Sequence, residues 1–257
     1  MILRPLEPAA PASGKFLPVW EVVERTQTQT YESCWMITQP SHAALAGELA
    51  ANLNAAQFPT PDVQILQAIA LHDAGWGIPD AQAIMRSRSV HQHQPQSFLA
   101  TAVPQFVEAW EKSIETSESV SPAGGYIVSR HFWRLAEQRL DSDESKADRK
   151  KLESFLQNEE RRQKKLASRQ SLSTEQLEKL TDLLQFCDLL SLYICCGAGQ
   201  AVIFPEYFGV RLRVARQAEE YKLDPPLIRS EAMFAVAALR HPATTEESSR
   251  EIQIKIE

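Results

Sequence analysis

The chain has 257 residues, 44% apolar and 23% charged, a balance that gives a globular protein a sizeable core and excludes disorder throughout. Its 33 acidic and 27 basic residues give a net charge of −6 with both signs interspersed, so the basic stripe of a nucleic-acid binder is missing and no nucleic-acid partner is expected. No apolar run approaches the roughly eighteen residues of a membrane span, so no membrane partner is expected either.

In chain order, residues 1–18 read as an irregular arm with four prolines, and no signal peptide is expected in MILRPLEPAAPASG. Residues 19–38 (VWEVVERTQTQTYESCWMIT) are rich in Val, Thr, Trp and Ile, which predicts one or two strands. A helix is expected from Pro40-Ser41 to about Leu53, with Leu45, Ala46, Leu49, Ala50 and Leu53 on one face. FPTPD then breaks the chain. Thr60 and Pro61 start a second helix that Gly75 ends. The stretch 77–104 holds Pro79, Pro95, Pro104 and the His91-Gln-His93 pair, and reads as a long loop with short helical pieces.

Helices near 104–118 and 122–140 follow, divided by the turn SPAGG. Residues 141–170 are densely charged, yet Leu152, Phe155, Leu156 and Leu166 keep helical spacing, which predicts a long solvated helix. Ser173-x-x-Gln176 matches a capping box and opens a helix through Leu177, Leu180, Leu184 and Leu190 to about Cys196, where Gly197 and Gly199 stop it. From 200 on, a helix at 206–221 precedes strand-like MFAVAALR and IQIKI. There are no internal repeats. The expected architecture is a single, mainly α domain: a helical core of about 37–200, with the arm 1–36 and the segment 201–257 joining in a small β element.

Three helical faces carry polar residues where apolar ones belong. His72-Asp73 follows Ile65, Leu66 and Ile69 at helical spacings, so both side chains project from the inward face. His42 precedes Leu45, Ala46 and Leu49 on the apolar side of its helix, and Asp188 follows Leu184, Leu180 and Leu177. A buried carboxylate is paired, protonated or bound to metal. Taken singly, His42 reads as a core histidine and Asp188 as an ion-pair member or a ligand. Two His and two Asp on three inward faces point to a metal, and mixed imidazole and carboxylate ligands suit Mn, Fe, Co, Ni or Zn.

The order His42, then His72-Asp73, then Asp188 on a distant helix resembles the HD-domain metal-dependent phosphohydrolase superfamily. More closely, TQPSHAALAGELA, LHDAGWGIPDA, YIVSRHFWRL and FCDLLSLYIC together look like an uncharacterised HD-related family of unknown function, over residues 37–196. The resemblance implies an HD-like helical bundle holding a metal through His42, His72, Asp73 and Asp188. It departs from two-metal members in lacking an adjacent His-His pair, with His131 alone in the intervening helix.

Several neighbours are candidates to complete the site. His131 reads equally as metal ligand, substrate contact or core residue. Arg130 and Arg134 flank it, either to meet a phosphate or as ordinary helix cations. Asp80 could orient a ligand histidine or take a proton. Trp76 lines the site or packs. Gln39 contacts ligand or caps a turn. His91 and His93 are expected in solvent, and Cys187, Cys195 and Cys196 in the core. The four cysteines, with Cys34, form neither a disulfide framework nor a CxxC pair, which suits a reducing, cytoplasmic setting. No phosphate-binding Gly loop, GxSxG elbow or HExxH helix is present.

The function this predicts is metal-dependent hydrolysis of a small-molecule phosphate ester, with a metal-activated water, Asp73 orienting it, and Arg130 or His131 offsetting phosphate charge. A non-catalytic ligand-sensing or partner-binding protein and an iron-dependent oxygenase are the alternatives.

Overall fold

The structure is a computed structural model and describes residues 1–257 except 8–14, 90–93, 141–144, 218–219, 230–231 and 246. His91 and His93 therefore lie outside the described residues. Among the described residues, no helix is long and apolar enough to cross a membrane.

The mainly α expectation is overturned by an eight-stranded mixed sheet. Its strands are β1 (Ile2–Pro5), β2 (Leu17–Pro18), β3 (Cys34–Ile37), β4 (Val202–Tyr207), β5 (Val210–Gln217), β6 (Glu220–Asp224), β7 (Met233–His241) and β8 (Ser249–Ile256). They lie in the order β1-β3-β7-β8-β6-β5-β4-β2, with β2/β4 and β6/β8 parallel and the other pairs antiparallel. The two ends of the chain do meet in one sheet, but that sheet is a major element rather than a small addition.

Two local misreadings account for most of the difference. The helix expected at 206–221 is a run of strands. RLRVARQ is made of good helix formers, yet its burial has period two: Leu212, Val214 and Arg216 point inward and Arg211, Arg213 and Gln217 outward. Conversely, the first half of 19–38 is a helix, α1 (Val19–Gln27), because Val19, Val22, Val23 and Thr26 recur at helical spacing and are buried. Here period overrode the β preference of valine and threonine. Only the second half, CWMI, is a strand.

The other helices are α2 (Gln39–Ala51), α3 (Val63–Ala70), α4 (Gly77–Ser89), α5 (Val103–Val120), α6 (Pro122–Leu140), α7 (Lys146–Ala167) and α8 (Thr174–Cys196). The helix expected from Pro61 to Gly75 is shorter. Asp62, not Thr60, caps α3, and the chain turns at Leu71 into a 3₁₀ turn at Ala74–Trp76. The long loop expected at 77–104 is mostly helix α4 and a second 3₁₀ turn, Phe98–Ala100. Pro79 falls in the first turn of α4, where a missing N–H costs nothing. The capping box on α8 forms as expected, with Ser173 and Gln176 each bonding the other's backbone N–H.

Helix α7 is not purely solvated. Leu152, Phe155 and Leu166 enter the core, and Glu159 and Gln163 are buried with them. Ser129 Oγ donates to Glu159 at 2.8 Å, Gln163 donates to Ser129 at 3.0 Å, and Arg162 Nε lies 3.3 Å from the same carboxylate. Burial raises the Glu159 pKa, against the downward pull of Arg162 and Ser129. A carboxyl whose folded pKa exceeds its unfolded one contributes stability that is full below the unfolded pKa and is lost as pH rises through the folded one. Glu159→Gln removes that loss. Its melting temperature relative to wild type should therefore climb as pH goes from about 4, near the free carboxyl value, to about 7. Calorimetry across that range checks it, and a constant or falling difference would refute the sign.

Candidate metal centre

Helices α2, α3, α6 and α8 pack around one point. Thr38 caps α2 by accepting from Ser41 N, and Pro40 occupies its first turn, so His42 sits at the start of α2 facing α8. The two helices α2 and α3 approach closely because residue 47 is glycine: a Cβ there would lie 2.6 Å from that of Ala70. Past the end of α3, His72 and Asp73 stand in the turn before the 3₁₀ segment. His131 enters from α6 and Asp188 from α8. His42, His72 and His131 are at most 2% exposed, and Asp73 is 6% exposed. The Asp188 side chain, 19% exposed, marks the open side.

The hydrogen bonds fix which nitrogen of His42 and of His72 faces inward. Ser191 Oγ donates to Asp188 O at 2.8 Å, so it accepts from His42 Nδ1–H at 2.9 Å. His72 Nδ1–H donates to Ile69 O at 2.7 Å. Both rings therefore turn the other nitrogen toward carboxylates. His42 Nε2 lies 2.9 Å from Asp73 Oδ2 and 3.6 Å from Asp188 Oδ1. His72 Nε2 lies 3.1 Å from Asp188 Oδ1 and 3.7 Å from Asp73 Oδ2. A lone pair facing an anionic oxygen needs a cation between them, either a proton or a metal ion.

Titration reflects the same crowding. Burial works against a charged His72, but Asp73 and the Asp188 hydrogen bond outweigh it and raise its pKa to about 9. Burial opposes ionisation of Asp188 too. His72, His131 and His42 nevertheless hold it well below the usual carboxylate range. His131 goes the other way. Burial dominates, Asp188 only partly compensates, and the pKa falls to about 4, leaving a neutral ring at pH 7.

The four expected ligands fall into two overlapping sets, the second completed by His131. Donor atoms of His42, His72 and Asp73 lie within 4.8 Å of one another, and so do those of His72, His131 and Asp188. Metal bonds of about 2.0–2.3 Å span such a set with small side-chain adjustments. His72 belongs to both groups but has one free nitrogen, so the two groups share a donor and compete for it.

Other expected site residues lie elsewhere. Arg130 Nε donates to Glu178 at 3.1 Å, and its guanidinium stacks 4.5 Å from the Trp133 ring centre. Arg134 bonds Asp182 and Glu178, each at 2.7 Å. Both arginines are taken up in an ion-pair ladder between α6 and α8. Asp80 is in α4 rather than a loop, and neither orients a histidine nor reaches the centre. Its carboxylate accepts from Gln39 N at 2.6 Å and from the Met1 ammonium at 2.5 Å. Cys34, Cys187, Cys195 and Cys196 are free and buried, and burial pushes Cys195 up to about 12.

Two contributors went unnoticed in the sequence. Ser191, three residues after Asp188 on one face of α8, sets the His42 tautomer, and that spacing was the available signal. Trp20 was hidden by the strand reading of 19–38. It lines a cavity of about 80 Å³ beside the cluster, together with Trp76, which packs edge-on to Phe106 at 4.9 Å.

A family described as "Protein of unknown function (DUF3891)" matches residues 26–234. The chain belongs to this family. The match covers all five residues of the cluster. No curated protein and no solved structure matches the chain.

Proposed function

We propose that the protein is a metal-dependent hydrolase acting on a small-molecule phosphate ester, with the ion held by His42, His72, Asp73 and Asp188. The observation that carries this reading is that two histidine Nε2 atoms and two carboxylates, from three separate elements, meet at one buried point. The ordered motif, which resembles the HD phosphohydrolases, gives the reaction class. A transition metal supplies a water acidified towards a pKa of about 7 and neutralises phosphate charge. The residues do the rest. Ser191 and the Ile69 carbonyl hold the two imidazoles in the ligating tautomer. Asp73 has a second oxygen to take the water's proton. The proton that Asp73 takes returns to the departing oxygen, and His131 Nε2, 3.8 Å from Asp188 Oδ2, stands on the same cavity as a further nitrogen donor. Four free, buried cysteines suit a reducing compartment, and we assign the reaction to the cytoplasm.

An iron-dependent oxygenase is the second reading. It is favoured by the cavity wall, which has no Lys or Arg among the described residues to meet a phosphate. The test is elemental analysis of the purified protein, followed by a phosphate-ester panel with Mn, Fe, Co, Ni and Zn. Phosphate release that needs added ion and stops with chelator is the expected result. Metal-dependent oxygen uptake without phosphate release would select the oxygenase. Metal without either turnover would select a sensing role, and no metal would overturn both enzymatic readings.

A further inference from the structure

The cavity beside the cluster holds more information than its metal ligands. Six aromatic side chains wall it: Trp20, Trp76, Phe98, Phe106, Trp110 and Phe132. His42, Asp73, His131 and Asp188 form the polar end, and Gln39 brings an amide to the wall. Gln39 is 4% exposed, and its amide oxygen is buried with no hydrogen-bond partner among the described residues. With no protein hydrogen-bond partner among the described residues, that oxygen keeps its acceptor capacity for a donor brought in from outside the fold. Its placement is not loose. The Gln39 backbone N–H is tied to Asp80 at 2.6 Å, so the buried Asp80 carboxylate serves to fix Gln39 at the start of α2.

We propose that this cavity is a substrate subsite for a short apolar group carrying an N–H or O–H donor, which Gln39 reads through its amide oxygen. The volume of about 80 Å³ admits only a group of a few heavy atoms. Aromatic walls favour an apolar body, and among the described residues no lysine or arginine lines them, so the end away from the His/Asp cluster suits a group without negative charge. The unmatched oxygen selects a donor over an isostere that lacks one, the discrimination buried polar groups supply best. This inference takes from the proposed hydrolase only which end of the substrate reacts.

Four Y-shaped probes of equal heavy-atom count test it: acetone without a donor, propan-2-ol with O–H, acetamide with N–H, and the isopropylammonium ion. Binding is read from indole N–H signals by NMR, on zinc-loaded and on chelator-treated protein. At least one donor probe should bind about five-fold tighter than acetone, the equivalent of about 1 kcal/mol. The order among the three tells hydroxyl, amide and ammonium apart. Gln39→Leu should erase the preference while melting at or above the wild-type temperature, because an unmatched oxygen has been removed. Gln39→Met replaces it if the leucine variant does not fold. Equal binding of acetone and all donor probes would overturn the proposal, as would a preference that survives in Gln39→Leu. A large fall in melting temperature would make Gln39 structural instead. The chelator-treated arm stands even if no metal-dependent hydrolysis is found, so the two readings fail separately.

Discussion

Asp188→Asn should lower metal affinity by at least about ten-fold and nearly stop any hydrolysis, while the protein stays folded. The carboxylate is the least buried of the proposed ligands and faces two histidine nitrogens and a third ring. His72 Nε2 is 3.1 Å away, His42 Nε2 3.6 Å and His131 Nε2 3.8 Å. Asparagine keeps the volume, its amide oxygen can accept from protonated His72 Nε2–H, and Asp73 keeps a carboxylate beside that ring, so the metal-free fold is retained. What it cannot do is supply the negative charge that a divalent ion needs. Asp182 is the control on the same helix. Its carboxylate is 40% exposed and pairs with Arg134, which keeps Glu178 as a second partner. Asp182→Asn should therefore cost no more than about 0.5 kcal/mol and leave the metal in place. Metal content and melting temperature measured on both variants separate ligand from structural anion. A folded Asp188→Asn protein with undiminished metal binding would refute the site.

The site was more legible in the sequence than the fold, for a physical reason. His42, His72, Asp73 and Asp188 each break an apolar helical stripe, and a stripe is a local pattern that survives errors at the helix ends. All four side chains point inward, and the structure gathers them, with His131, in two overlapping sets. The sheet was harder to see. β1 pairs with β3, which pairs with β7 about two hundred residues away, and no local pattern announces such pairing. Strand β5 also carries helix-favouring residues at period two, so composition and periodicity disagree there.

The neighbours failed differently. Arg130 and Asp80 were assigned by proximity along the chain to His131 and Asp73. The structure gives each a closer partner, Glu178 and Gln39 N, supplied from elsewhere in the chain. Chain proximity finds candidates, but partners decide whether a charge is free for chemistry. Gln39 illustrates the converse, since only the structure could reveal that its oxygen has no partner.

Gly75→Ala should destabilise the protein by at least about 3 kcal/mol, with a fall of roughly 6–12 °C in melting temperature. Gly75 stands two residues after Asp73 in the turn that presents it. A Cβ there would lie 2.0 Å from the Ala109 carbonyl oxygen and 2.9 Å from both Lys112 Cβ and Ser113 N. The nearest of these atoms are helix backbone, so no rotamer change relieves the clash; α5 and the turn must separate. The Gly75 N–H bond to Ser113 Oγ, 2.9 Å long, would be strained with them. Asp73 would move with the turn, and metal content should fall alongside stability. Gly77, two residues on, is the matched control. It already has helical angles, φ −55° and ψ −46°, and a Cβ there meets nothing within 4 Å. Gly77→Ala should stabilise by about 0.4–1 kcal/mol, through the unfolded chain's reduced freedom, and leave metal binding unchanged. Urea unfolding of both variants, with metal analysis, reads the difference. Equal effects from the two substitutions would mean that the close packing of this turn on α5 does not hold the ligand.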